Sequence, residues 1–138
     1  MIDEEFDFQS TRTAEYLAVK GKQAEIITRL PYVGVEINFT SFGPQMQRLR
    51  TNGVVFTPMT CVKEIRGNKV TVYDIYTNEK RKIEVVDTVV LSMGNRANND
   101  LYKLLKGRVK ELHAVGDCVA PRRMVDAVYE GHRAARLL

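Results

Sequence analysis

The chain has 138 residues, 44% hydrophobic and 28% charged, with a net charge of +4 and a sequence pI near 9.1. That is enough chain for one buried core, and no run approaches the roughly 18 apolar residues of a membrane-spanning helix. Cys61 and Cys118 are far apart in sequence and form no CxxC. Such a pair gives no disulfide framework and cannot by itself hold an iron–sulfur cluster or a zinc finger. A reducing cytoplasm is the expected setting, and the acidic start Asp3-Glu4-Glu5 is not a secretory signal. The mild positive charge is spread along the chain, with one group at Arg122, Arg123, Arg133 and Arg136, which gives nucleic-acid binding little support.

In chain order, Met1-Ile2 reads as the end of a strand. Ser10 or Thr11 then caps a helix with Ala14, Leu17 and Ala18 on its inner side, and Gly21 ends it. Ala24 to Thr28 is a short buried strand, completing a βαβ unit. After an irregular stretch broken by Pro31 and Gly34, a second helix starts at Thr40 or Ser41, keeps Met46 and Leu49 inward, and stops at Asn52-Gly53. Val54 to Phe56 is a third strand.

The pattern then changes. Cys61 to Arg66, Lys69 to Thr77 and Lys80 to Val86 alternate apolar and polar residues, with turns at Gly67-Asn68 and Asn78-Glu79. This predicts a three-stranded antiparallel meander. Asp87 to Met93 is a continuous apolar run expected in a parallel sheet. Asn98 or Asn99 opens a short helix, Leu112 to Val115 is a last strand, and Met124 to Leu138 a last helix with a stripe at Met124, Val128, Gly131, Ala135 and Leu138. The sum is an α/β fold: a Rossmann-like open parallel sheet flanked by helices, with an inserted meander.

Two segments carry chemistry: Asp87 to Asn98, where a strand ends in Ser92-Met93-Gly94, and Leu112 to Cys118, where a strand ends in Gly116-Asp117. Glycine after a strand lets backbone approach a ligand, and the next carboxylate accepts a hydrogen bond from a ribose or ribityl hydroxyl. With Val119-Ala120-Pro121-Arg122 and Ala127-Val128-Tyr129-Glu130-Gly131-His132, these segments resemble the old-yellow-enzyme-related NADH:flavin oxidoreductases, the group of 2,4-dienoyl-CoA reductase and the trimethylamine and histamine dehydrogenases. The resemblance covers the C-terminal third of such proteins. It implies an NAD(P)-binding-like domain at 1–111, with the meander at about 60–86, and the end of an FAD-binding domain at 112–138. It implies a cofactor contact at Gly94, Gly116, Asp117, Cys118 and Met124, with no catalytic residue and no metal ligand among them. It further implies a parent holding FMN, an iron–sulfur cluster and FAD or ADP. In that setting the partners are the barrel and FAD domain of the parent and an electron-transfer flavoprotein, and no cofactor is tightly bound by this segment alone.

One feature departs from that pattern. The first strand-to-helix loop, Asp3-Glu4-Glu5-Phe6-Asp7-Phe8-Gln9-Ser10, has no glycine and four carboxylates where a pyrophosphate would sit. The acids are expected to occupy the helix N-terminus in place of the anion, and an acidic, glycine-poor loop brings the resemblance closer to the dehydrogenase branch of that family. The competing expectation is therefore a degenerate Rossmann scaffold that binds no nucleotide and serves interdomain packing or docking of an electron-transfer partner. Arg29 ends the second strand, where it could meet a 2′-phosphate, but a surface arginine fits the altered loop better. Arg122 and Arg123 are equally compatible with flavin phosphate and with a solvated face. Cys118 also fits a small core residue, Cys61 a strand residue, and Met46, Met59, Met93 and Met124 core filling. His113 and His132 have no ligand spacing.

Overall fold

The computed structural model describes residues 1–138, which divide into two compact units, Met1–Met93 and Gly94–Leu138. The first unit contains β1 (Ile2–Asp3), α1 (Phe8–Val19), β2 (Glu25–Thr28), α2 (Phe39–Thr51), β3 (Val55–Thr57), β4 (Thr60–Arg66), β5 (Lys69–Asp74), β6 (Lys80–Ile83) and β7 (Leu91–Ser92). The strands form a parallel sheet in the order β3-β2-β1-β7 and an antiparallel sheet in the order β4-β5-β6. This is the expected Rossmann-like α/β architecture with its meander.

Alternation along β2 explains the layering. Ile26 joins a cluster with Ala14, Val33, Leu49 and Val54, against which Ala18 and Met46 also pack. Ile27, its neighbour, faces the opposite way and packs with Val70 and Val72 of the meander. The two helices therefore cover one face of the parallel sheet and the meander covers the other. At the end of α1, Gly21 takes φ +76, while its N–H and that of Lys22 donate to Ala18 and Leu17. That is the left-handed stop a glycine favours. Asn38 caps α2, accepting the Ser41 N–H at 3.0 Å.

Several elements differ from expectation. Helix α1 begins at Phe8, so Ser10 and Thr11 lie within its first turn and are buried, their hydroxyls donating back to the carbonyls of Asp7 and Phe8. The second meander connection is a wider loop: Asp74 accepts the N–H groups of Tyr76 and Thr77, and β5 ends there. The run Asp87–Met93 pairs only at Leu91–Ser92, because β1 offers just Ile2 and Asp3 as partners. Val89 packs instead beside the meander.

The second unit contains α3 (Asp100–Leu105), a 3₁₀ turn (Gly116–Cys118) and α4 (Met124–Ala135). Leu112–Val115 is not a strand: Val115 is extended, at φ −141 and ψ 153, but no neighbouring strand completes a ladder. The stripe on α4 is uncovered, with Met124 83% and Val128 65% exposed. Met93 and Met124 are thus surface residues, whereas Met46 packs against the core as expected. No helix is long and apolar enough to cross a membrane.

Candidate nucleotide-binding site

In an open parallel sheet, ligands enter the crevice at the carboxyl ends of the strands, where strand order reverses. In the first unit that place lies between β1 and β7, and the chain's own groups span it. The Glu4 N–H donates to the Ser92 carbonyl at 2.8 Å, and the Ser92 hydroxyl donates to Glu5 Oε2 at 2.6 Å. Asp3 is fully buried at the end of β1. Its Oδ1 accepts the N–H groups of Phe6 at 2.9 Å and Glu5 at 3.3 Å, while Oδ2 has no partner.

This turn puts Phe6 at φ +63, a left-handed conformation that glycine would adopt without strain. The Phe6 carbonyl then accepts the Glu36 N–H at 2.9 Å. Arg29 closes the outside, pairing with Glu4 at 3.1 Å and lying over the Phe6 ring at 5.3 Å. Its guanidinium is engaged within the loop and not held open for a phosphate.

The acids do not cap α1 as expected. Asp7 occupies the N-cap position but its side chain makes no capping bond, and no acid lies in the first helical turn. The carboxylate that binds backbone N–H groups is Asp3, one turn earlier. The loop therefore does not fit a pyrophosphate. Its tight-turn position is held by Phe6, and Glu5 is bonded across the crevice.

The second unit holds the Gly-Asp segment. Gly116 is buried at φ +69, and a Cβ built on it would lie 3.2 Å from the Cβ of Ala127 on α4. Its N–H donates to Glu130 Oε2 at 2.7 Å. The other Glu130 oxygen pairs with Arg122, whose Nε donates to the Ala120 carbonyl at 3.2 Å. Arg122, then the Gly116 N–H, holds the Glu130 carboxyl below the usual glutamate range, and Glu130 raises Arg122 in turn.

Asp117 lies in the middle of the turn and is exposed, with no hydrogen bond or ion pair to its carboxylate. Cys118 donates its thiol to the Val115 carbonyl at 3.1 Å. Beside it, a cavity of about 440 Å³ is lined by Asn99, Tyr102, Leu112, His113, Ala114, Cys118 and Val119. His113 hydrogen-bonds Glu111 at 3.0 Å. Gly94, at φ +84, has open space where a side chain would stand, and Met124 projects from the first turn of α4.

Of the residues expected at a cofactor, Gly116, Asp117 and Cys118 share one turn, with Met124 at the start of the helix packed on that turn. Glu130 was not among them. It lies three residues after Ala127 on the same face of α4, and only that helix brings it back to the turn. Arg122 is an internal ion-pair partner and not a free phosphate ligand.

An exposed carboxylate after a left-handed glycine fits the hydroxyl groups of a flavin or adenine nucleotide. The fold and these two loops define a Rossmann-like nucleotide-fold domain. Residues 10–131 match the pyridine nucleotide-disulphide oxidoreductase family, and the chain belongs to it. It is similar to a metal reductase of Desulforamulus reducens, 31% identical over 120 residues that make up 86% of this chain and 18% of that protein. It is also similar to a dimethylamine dehydrogenase of Hyphomicrobium sp., 27% identical over 149 residues, covering 89% of this chain and 20% of that protein. Histamine dehydrogenase from Rhizobium sp. 4-9 superimposes with a TM-score of 0.87 at 26% identity, covering 99% of this chain and 22% of the other. The chain thus spans about a fifth of the length of these relatives.

Proposed function

We propose that this chain is the nucleotide-domain segment of a larger NADH:flavin oxidoreductase-type enzyme containing FMN and an iron–sulfur cluster. In this reading it helps form an FAD or ADP site without carrying the bond-making step. The observation that carries the reading is the free Asp117 carboxylate on the Gly116 turn. Asp117 accepts a hydrogen bond from a hydroxyl of the nucleotide or ribityl chain, Gly116 and Cys118 shape the turn beneath it, and Gly94 and Met124 are the further contacts this reading assigns. When bound, the flavin supplies the redox chemistry; the residues of this chain bind and orient it. The similarity to a metal reductase, a dimethylamine dehydrogenase and a histamine dehydrogenase supports an electron-transfer setting. Residues 1–111 then form the nicotinamide-type domain and 112–138 complete the FAD domain, in a cytoplasmic protein that passes electrons to a partner flavoprotein.

The nicotinamide side has lost its ligand in this reading. Glu5 bonded to Ser92 and Phe6 in the glycine position support a scaffold role for that half. The exposed apolar stripe of α4 is suited to packing against other domains of the parent. Thermal unfolding with millimolar NADH or NADPH tests this. No rise in melting temperature is expected, whereas ligand at 100 times its Kd would stabilise by about 2.7 kcal/mol. A clear rise would defeat the reading of the loop.

A further inference from the structure

We propose that Glu130 is the positioning residue of the cofactor turn: its carboxylate ties the Gly116 N–H to Arg122 and thereby holds Asp117 free for the ligand. The inference rests on the flavin or adenine-nucleotide reading given above. Three observations carry it. Gly116 is the buried residue of its unit, and its N–H donates to Glu130 at 2.7 Å from a residue 14 positions further along the chain. The other Glu130 oxygen takes the Arg122 guanidinium. That engagement matters because Asp117 and Asp126 also lie near enough to Arg122 to act on it electrostatically.

Without Glu130, Arg122 would be an unpaired cation within electrostatic reach of Asp117. An ion pair between them would turn the ligand-binding carboxylate inward. With Glu130 in place, Arg122 is occupied, Arg123 lies 3.7 Å from Asp126, and Asp117 stays exposed. Ala127 packs close under the same turn: a Cβ at 116 would come 3.2 Å from the Ala127 Cβ, and the left-handed φ there also favours glycine. One helix face, Ala127 and Glu130, thus fixes both the position and the hydrogen bonding of the turn.

The device depends on pH in a defined direction. The groups facing Glu130 are Arg122 and the Gly116 N–H, with Asp117 and Asp126 acting on Arg122. Arg122, then Gly116, lowers the Glu130 value in the folded chain. The bracket is therefore complete above the ordinary glutamate value of about 4.3 and is lost as pH falls through the lower folded value.

The test uses amide NMR of the 138-residue chain with and without millimolar FAD. In the wild type the Gly116 amide proton is expected downfield, titrating with a midpoint below about 4.3. Glu130→Gln keeps an acceptor, so that amide stays downfield and stops titrating. Glu130→Ala loses the shift and exchanges faster. FAD is expected to move the Asp117 amide in the wild type and in Glu130→Gln, and about 2–10-fold less in Glu130→Ala. Should Glu130→Ala not fold, Arg122→Gln serves instead: the Gly116 midpoint rises while its bond persists.

An unchanged Gly116 amide in the alanine variant, or an unchanged midpoint in Arg122→Gln, overturns the bracket. Equal FAD shifts in wild type and alanine variant overturn the positioning role and leave the flavin reading standing. No FAD shift at Asp117 in the wild type overturns the flavin reading and the positioning role with it.

Discussion

Alanine at Gly116 and at Gly131 should change stability in opposite directions, although both glycines belong to the same unit. Gly131 lies inside α4, and a Cβ there would meet nothing within 4 Å. Glycine in a helix interior costs about 0.5–1 kcal/mol relative to alanine. Gly131→Ala should therefore stabilise by about that amount. Gly116 sits at φ +69, and its Cβ would come within 3.2 Å of the Ala127 Cβ. A left-handed conformation costs an L-residue about 1–2 kcal/mol, before any displacement of α4. The two variants should thus differ by about 1.5–3 kcal/mol, a factor of roughly 10–150 in local opening. Hydrogen exchange of the α4 amides reads the difference directly. Slower exchange in Gly116→Ala would refute the reasoning, because alanine at a compatible glycine position stabilises by about 0.4–1 kcal/mol.

Two further predictions concern the first unit. Leu49 is fully buried among Ala14, Ile26, Val33 and Val54, so Leu49→Ala should cost about 2–5 kcal/mol in urea unfolding; a loss under 1 kcal/mol would contradict the core assignment. Asp74 accepts the Thr77 N–H and then the Tyr76 N–H, which lowers its value in the folded chain. Its turn should persist below the ordinary aspartate value of about 3.9 and loosen as pH falls through the lower folded value. The Thr77 amide shift should titrate with that lower midpoint, and a midpoint above about 3.9 would rule the turn out.

Much of the fold was legible because its signals are local. The short buried strand at Glu25–Thr28, the Gly21 stop and the two-residue Gly67-Asn68 turn each follow from a local apolar run or backbone freedom. What escaped depends on partners distant in sequence. Asp87–Met93 looked like a full strand, but β1 has only two residues to pair with it. Leu112–Val115 and the α4 stripe carry apolar patterns that nothing in this chain covers. The absence of glycine in the first loop was plain in the sequence; the Glu5–Ser92 bond that spans the crevice joins residues 87 apart and was not. Likewise Gly116-Asp117 stood out as a motif, whereas Glu130 becomes visible only once α4 brings it back to the turn.

The central claim is that the nicotinamide side is closed by its own loop while the Asp117 side remains available. The most direct measurement maps amide shifts of the chain on adding NADPH and, separately, FAD. FAD should move the amides of Gly116 to Cys118 and leave Glu4 to Phe8 unmoved, and NADPH should move neither group. Movement of the Glu4 to Phe8 amides by NADPH would contradict the account.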